Sequence, residues 1–371
     1  MLRILQVVNI MDRAGLETML MNYYRSIDRS QIQFDFLTHR HTEGAYEQEI
    51  ISMGGRVYHA PRLYPQNYIA YFKYMDQFFK EHTEYQIVHS HIDTMSIFPL
   101  YAAKRRNVSI RISHSHSSKL DKDAKIAIKY LAKLALTKVA NVYCACGERA
   151  GKFMYGNRTF RVIKNAVDLE KFKFNSELRM KTKEMLGIGN AFVIGHVGRY
   201  CYIKNQAFLM EVFYEVRKTI TNVKLLLIGK GEDEAMLRIK AEELGCKDDV
   251  LFLIDRSDVD ELYQAMDVFV MPSLFEGLPV VGIEAQANGL QCIVSNQISK
   301  EILLTNSIQM LSLSDTKEQW AETIIRIPRT RSNSCMEMLR KTGYDVHYEV
   351  DRMMEWYQSL DAQANSSITD K

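Results

Sequence analysis

Residues 267–289, "DVFVMPSLFEGLPVVGIEAQANG", hold a strand, a glycine turn and a helix in immediate succession. The run "DVFVMPS" reads as a short apolar strand, and the residues after Pro279 read as a helix. Pro279 suits the first turn of that helix, where a missing N–H costs nothing, and Gly277 lets the backbone approach a ligand closely. Two glutamates flank the turn. Glu276 lies within it, and Glu284 follows eight positions later, about 7.5 Å beyond Pro279 along the helix axis. A carboxylate is an acceptor-only group whose two oxygens match a vicinal diol, such as a ribose or a sugar ring presents. The helix N-terminus offers free N–H groups and positive partial charge, which suit a phosphate. One carboxylate for a hexose, one for a ribose and amides for the pyrophosphate between them would form a nucleotide-sugar site. The plainer alternative is a surface Glu276 and a paired helical Glu284, and spacing alone does not separate the two.

The same strand–helix rhythm runs outward in both directions. "RILQVVN", "IQFDFLT", "RVYHA", "QIVHSH", "SIRISHS" and "NVYCACG" read as strands, each followed by helical spacing or a helix start. After a connecting region, the pattern restarts with "AFVIGHVGR", "VKLLLIGKG", "VLFLI", "DVFVMPS" and "QCIVSN". The expectation is an α/β protein of two Rossmann-like, doubly wound parallel-sheet domains, residues 1–165 and 166–344. A last helical segment, 345–362, either ends the second domain or crosses back to the first. Two such domains facing a cleft would bind ligands beyond the carboxyl ends of their strands.

Composition fits this reading. The 371 residues are 47% hydrophobic and 25% charged, ordinary for a soluble globular chain with two cores. No apolar run reaches eighteen residues, and "MLRILQVVNIMDRAG" patterns as a strand rather than a signal segment, so a cytoplasmic location is expected. The six cysteines are scattered without a CxxC pair and read as reduced thiols, with Cys144 and Cys146 as packing residues.

The second domain adds cations. "GHVGRYCYIKN" places Gly198 and Arg199 at a strand end and Lys204 just before the next helix, where two cations can neutralise a diphosphate. Gly229 and Gly231 make a glycine turn after the next strand. That turn is neither a Walker loop nor GxGxxG, since GK[ST] is absent and Glu234 stands where the third glycine would be. "GR" followed by a lysine, "LLIGKGE", "DVDELYQAMDVFVMPSLFEGLPVVGIEAQANG" and "VIKNAVDLEKF" together resemble the donor half of glycosyltransferase family 4, a GT-B group with an E-x7-E signature. "VVNIMDRAGLETMLMNYYR" is similar to that family's first loop and "IRISHSHSS" to its active-site histidine strand. Among its members, the chain resembles most those that build bacterial capsular and exopolysaccharide repeat units.

The resemblance implies roles residue by residue. Glu276 would contact the donor sugar and Glu284 the ribose. Arg199 and Lys204 would bind the diphosphate and stabilise the departing nucleotide. Gly15, Gly198 and the amides near Gly277 and Leu278 would complete the donor contacts, and the loop "DRSDV", with Asp258 and Val259, would border the base. The chain departs from the family in two places: its first-loop glycine pair reads Ala14-Gly15, and its linker Asn-Gly reads Asn165-Ala166.

In the first domain, "QIVHSHID" and "RISHSHSS" each end in His-Ser-His. Four such histidines could bind zinc, but no carboxylate or cysteine stands at ligand spacing, and hydrogen-bonding groups are expected instead. The resemblance implies His116 as the active-site histidine, with His114, His89 and His91 on the acceptor side. The resemblance also implies retention of anomeric configuration. A glycosidase-like double displacement would need two carboxylates about 5 Å apart at the anomeric carbon, and a ribose-bound Glu284 is too remote. Same-face attack is the expectation, with the leaving diphosphate as proton acceptor and no metal or other cofactor demanded. "DKD" (121–123) and "DVD" (258–260) imitate a metal motif, but each precedes a helical segment and reads as helix-start acids.

Charge bears on the acceptor. Residues 1–160 carry 22 Lys and Arg against 14 Asp and Glu, a net of +8 in a chain of +3. Lys122, Lys125, Lys129 and Lys133 form a helical stripe beside Ile126, Tyr130 and Leu134 within 119–141. The stripe reads either as a solvated surface or as an interfacial helix meeting anionic lipid, on the inner face of the plasma membrane. The expected partners are a nucleotide-sugar donor, UDP-linked in the favoured case, and a saccharide or polyprenyl-linked acceptor. Nucleic acid has no supporting motif. The rival functions are a sugar-nucleotide epimerase of the same architecture and a catalytically inactive GT-B partner protein.

Overall fold

Thirteen strands form two parallel sheets in a computed structural model that describes residues 1–119, 126–331 and 334–369. The first sheet holds β1 (Leu2–Val7), β2 (Ile32–Thr38), β3 (Val57–His59), β4 (Ile87–Ser90), β5 (Ile110–Ser115), β6 (Val142–Ala145) and β7 (Arg161–Val162), in the order β3-β2-β1-β4-β5-β6-β7. The second holds β8 (Phe192–Val197), β9 (Val223–Ile228), β10 (Val250–Leu253), β11 (Val268–Met271), β12 (Gln291–Ser295) and β13 (Ile308–Leu311), in the order β10-β9-β8-β11-β12-β13. Each sheet starts at its centre, winds to one edge, then returns to the other side of its first strand. The β1/β4 and β8/β11 junctions are thus topological switch points, where open α/β sheets bind ligands beyond their strand ends.

Strands covered on both faces must be apolar throughout or satisfy what they bury. All six residues of β8 are buried. So are all seven of β2, including Asp35, which is paired with Arg3 and accepts hydrogen bonds from Tyr85 Oη at 2.7 Å and the Arg56 N–H at 2.7 Å. The first core gathers Leu5, Val88, Tyr71, Phe78 and Leu100, and the second gathers Ile194, Phe213, Leu225, Val270 and Trp320. Each such side chain contributes about 1.5–3 kcal/mol by leaving water. All six cysteines are free thiols, and five are buried.

The chain divides into two units, Met1–Ala166 with Val346–Lys371, and Val167–Asp345. The first boundary falls one residue beyond the expected 165. The last helix, Val346–Thr369, runs longer than the expected 345–362 and packs on the helix Gly15–Ser26 and on β5. Two strands escape the sequence pattern, β7 and β13. Both are edge strands, of two and four residues. The two glycine-to-alanine departures are accommodated. Ala14 has φ −127°, and neither it nor Ala166 takes a positive φ, so no glycine is required at either place.

Candidate active site

In the second unit the loops after β8 and β9 lie backbone against backbone. A Cβ on Gly229 would come within 2.2 Å of the Gly198 carbonyl oxygen, and one on Gly231 within 2.1 Å of that of Tyr200. Three bonds lock the loops together: Gly198 N–H to Ile228 O (2.9 Å), Tyr200 N–H to Lys230 O (3.0 Å) and Asp233 N–H to Tyr200 O (3.1 Å). "GR" and "GKG" are therefore two halves of one structure. Gly198 also makes room for a cation, since a Cβ there would sit 3.3 Å from Lys204 Cε.

Lys204 closes the 3-10 turn Tyr202–Lys204, just before the helix Gln206–Arg217. Its ammonium is ion-paired with the Glu276 carboxylate, and both side chains are only 18% exposed. Ser273 Oγ donates to the same carboxylate oxygen at 3.3 Å. The Glu276 loop is held on three sides, by Leu274 N–H to Ile203 O (2.8 Å), Ser299 N–H to Glu276 O (3.2 Å) and Asn205 Nδ2 to Pro272 O (3.1 Å). Arg199, by contrast, is 69% exposed, and its guanidinium meets Glu232 at 2.8 Å.

Past Gly277 and Leu278, Pro279 is the N-cap of the helix Val280–Ala287, one residue before the expected first-turn position. No side chain caps this terminus, so its amides keep their electrostatic attraction for an anion. Glu284 lies on this helix, buried, with Tyr263 Oη donating to its Oε2 at 3.0 Å. Burial raises its pKa to about 7, opposed by the Tyr263 hydroxyl and Lys171 and assisted by Asp260. Asp258 stands at the N-cap of the helix Val259–Ala265 without a side-chain capping bond, and its carboxylate is clasped by Arg256, whose Nε donates at 2.7 Å. Asp260 faces Lys171 at 3.4 Å. The acids of "DVD" are thus spent on cations, and those of "DKD" lie outside the described residues.

In the first unit the four histidines do cluster. His89 Nε2 lies 3.1 Å from His114 Nδ1, and His91 Nδ1 lies 3.0 Å from His116 Nε2. The two pairs stack, with centroids 4.2 Å apart for His89–His91 and 4.0 Å for His114–His116. His89, His91 and His114 bring nitrogens within 4.8 Å of one another. Stacked rings do not converge their in-plane lone pairs on one point, however, and most of these nitrogens are engaged by neighbouring imidazoles, Tyr357 or Gln6, while His114 Nε2 is buried without a hydrogen-bond partner among the described residues. Burial, reinforced by neighbouring imidazoles, holds the pKa values of His89, His91 and His114 well below the usual histidine range, and burial does the same to the half-buried His116. The His116 backbone N–H donates to Asp93 at 2.8 Å, and Asp93 itself holds a positive φ of 48°. Gly15 opens its helix, where a Cβ would meet nothing within 4 Å.

Sequence reasoning missed several partners. Gln6 and Tyr357 are bonded to the histidines, Tyr263 orients Glu284, and Asp93 ties down the His116 loop. Glu17, in the first turn after Ala14, buries one carboxylate oxygen without a hydrogen-bond partner among the described residues, and burial raises its pKa to about 7. The only local signal for Gln6 was a polar residue inside an apolar strand. Tyr357 reads as core, since 351 positions separate it from Gln6.

Comparison with known proteins identifies the family. Residues 13–171 match the model of Glycosyltransferase Family 4, and residues 191–329 that of Glycosyl transferases group 1. EpsF of Bacillus subtilis strain 168, named for glycosyl transfer, is 36% identical over 370 residues, 96% of each chain. The Escherichia coli UDP-Gal:alpha-D-GlcNAc-diphosphoundecaprenol alpha-1,3-galactosyltransferase is 28% identical over 74% of this chain and 75% of its own. Among solved structures, Anabaena HepE in complex with UDP and glucose superposes with a TM-score of 0.80 at 18% identity, covering 97% of this chain and all of that one, a likeness of fold. With two Rossmann-like sheets, both family models and a full-length relative in agreement, the chain belongs to the family 4 glycosyltransferases of GT-B fold.

Proposed function

We propose that this glycosyltransferase moves a sugar, with retention, from a UDP-sugar to a lipid-linked saccharide during assembly of an extracellular polysaccharide. The observation that carries the reading is the Lys204–Glu276 pair beside the uncapped helix that bears Glu284. A diphosphate would draw Lys204 away from Glu276, leaving that carboxylate free for a sugar hydroxyl. Glu284, held by Tyr263, takes the ribose diol, and Asp258 and Val259 border the base. Arg199 and Lys204 stabilise the charge that develops on the leaving diphosphate. The acceptor hydroxyl attacks from the face the diphosphate leaves, and its proton passes to a diphosphate oxygen. His116 meets the acceptor, with His114, His89 and His91 behind it. The E. coli relative's name supplies the donor and acceptor classes. Mass-spectrometric screening of UDP-, GDP- and ADP-sugars against undecaprenyl-diphosphate-linked acceptors tests the reading. Transfer from a UDP-sugar with preserved anomeric configuration is expected, and donor turnover without an acceptor product would point to an epimerase.

No helix among the described residues is long and apolar enough to cross a membrane. We place the acceptor's lipid at an anionic membrane surface met by the helix Ile126–Leu136, which exposes Tyr130 (58%), Leu131 (68%) and Leu134 (75%). Lys133 turns its ammonium over the Phe153 ring at 4.0 Å, and Lys122 and Lys125 lie outside the described residues. Replacing Lys122, Lys125, Lys129 and Lys133 with glutamine should release the protein from anionic vesicles in flotation assays, by about 1 kcal/mol for each lysine at the surface. UDP affinity should not change. Wild-type protein that ignores anionic vesicles at low salt would leave this helix as ordinary surface.

A further inference from the structure

Gln6 lies on β1 directly beside His89 of β4, at the switch point of the first sheet. Both ends of its amide are bonded, and together these bonds fix the proton on His91 and, through it, on His116. The argument starts from the shortest contact, 2.6 Å between Tyr357 Oη and His89 Nδ1. That is shorter than an N–H donor normally reaches and ordinary for a hydroxyl donor, so Tyr357 gives its proton to His89. The Gln6 atom 3.4 Å from the same hydroxyl must then be a donor, the amide nitrogen. This turns the amide oxygen toward His91 Nε2, at 2.8 Å. A carbonyl oxygen only accepts, so His91 carries its proton on Nε2 and a lone pair on Nδ1. The 3.0 Å bond from that lone pair to His116 Nε2 requires the His116 proton to sit on Nε2. What His116 has left is Nδ1, a lone pair with no partner among the described residues.

We propose that Gln6, acting through His91, holds His116 as its Nε2–H tautomer, so that His116 meets the acceptor with a hydrogen-bond-accepting nitrogen. This rests on reading His116 as the acceptor-side group of sugar transfer. Gln6 is a positioning residue, and neither sugar touches it. With Nδ1 unprotonated, the bound acceptor hydroxyl donates to His116 and is oriented with an oxygen lone pair toward the anomeric carbon, and that hydrogen bond is released as the proton passes to the departing diphosphate oxygen. The opposite tautomer would offer an N–H, which would occupy that lone pair instead. Two further contacts fix the ring. His114 stacks on it at 4.0 Å, and Asp93 accepts its backbone N–H at 2.8 Å.

The test is 15N NMR of the full chain labelled at histidine, with His116 assigned by difference against His116→Gln. Wild-type His116 should show a pyridine-type Nδ1 and a pyrrole-type Nε2 near neutral pH. Gln6→Leu should scramble both His91 and His116 and lower kcat by about tenfold or more, with donor KM unchanged. A wild-type His116 protonated on Nδ1 overturns the proposal, as does a folded Gln6→Leu variant with unchanged tautomers and turnover. Circular dichroism confirms that the His116→Gln reference is folded before the difference is taken. If His116→Gln retains full transfer while the wild-type tautomer is as stated, the acceptor-side reading fails and the tautomer assignment stands.

Discussion

Glu284→Ala should weaken binding of UDP and of UDP-sugar alike by about 1.5–3 kcal/mol, roughly 10- to 150-fold, because both ligands carry the ribose whose diol this carboxylate accepts. Titration calorimetry checks it, and equal nucleotide affinity in a folded variant would remove the ribose assignment. The same residue makes a second, opposite claim on stability. Burial lifts its pKa from 4.5 to about 7, so the folded, ligand-free protein binds a proton there that the unfolded chain releases. Stability on this account is complete below pH 4.5 and is lost as pH rises through about 7. Glu284→Gln removes that loss. In denaturant titrations at pH 8 without ligand it should be more stable than wild type by about 2–3 kcal/mol, and at pH 4.5 the gain should vanish. Diol hydrogen bonds favour the carboxylate, so UDP binding by the wild type should release a proton near pH 7 and weaken as pH falls from 8 to 6. A variant that binds nucleotide worse yet folds more tightly is the mark of a binding group held against its solvation preference.

Glu276→Ala should behave differently, lowering kcat for transfer by about 100-fold or more while the Kd for UDP stays within about threefold. Lys204 explains the contrast. With Glu276 gone, its ammonium loses its carboxylate partner and remains available to the diphosphate, whereas the donor sugar loses an acceptor for its hydroxyls. Steady-state kinetics alongside UDP titration separate the two effects. Full turnover would rule out any sugar-handling role for Glu276, and a proportionate loss of UDP affinity would move the residue into nucleotide binding.

Much of the second unit was legible because its chemistry lies close in sequence. Glu276 and Glu284 sit on one loop and the helix that follows it, and helical rise alone sets the span between Pro279 and Glu284. Arg199 and Lys204 belong to a single strand-to-helix connection. The pairing between these two segments was not legible. That Lys204 spends its charge on Glu276, 72 positions away, follows only from β8 and β11 lying side by side. For a related reason, helical spacing does not reveal the Phe153 ring over which Lys133 places its ammonium.

The histidine cluster divides the two contributions most clearly. By itself the sequence determined two parallel-sheet domains, the family, and a His-Ser-His at the end of each of two strands, because apolar periodicity and strand-end motifs are local properties of the chain. The order β1-β4-β5 brings those strand ends together, and the last helix delivers Tyr357 to His89 across 268 positions. Which nitrogen of His116 carries the proton then depends on an amide of the neighbouring strand. Hydrogen bonds act over about 3 Å, and only the tertiary structure puts such distant residues within that reach.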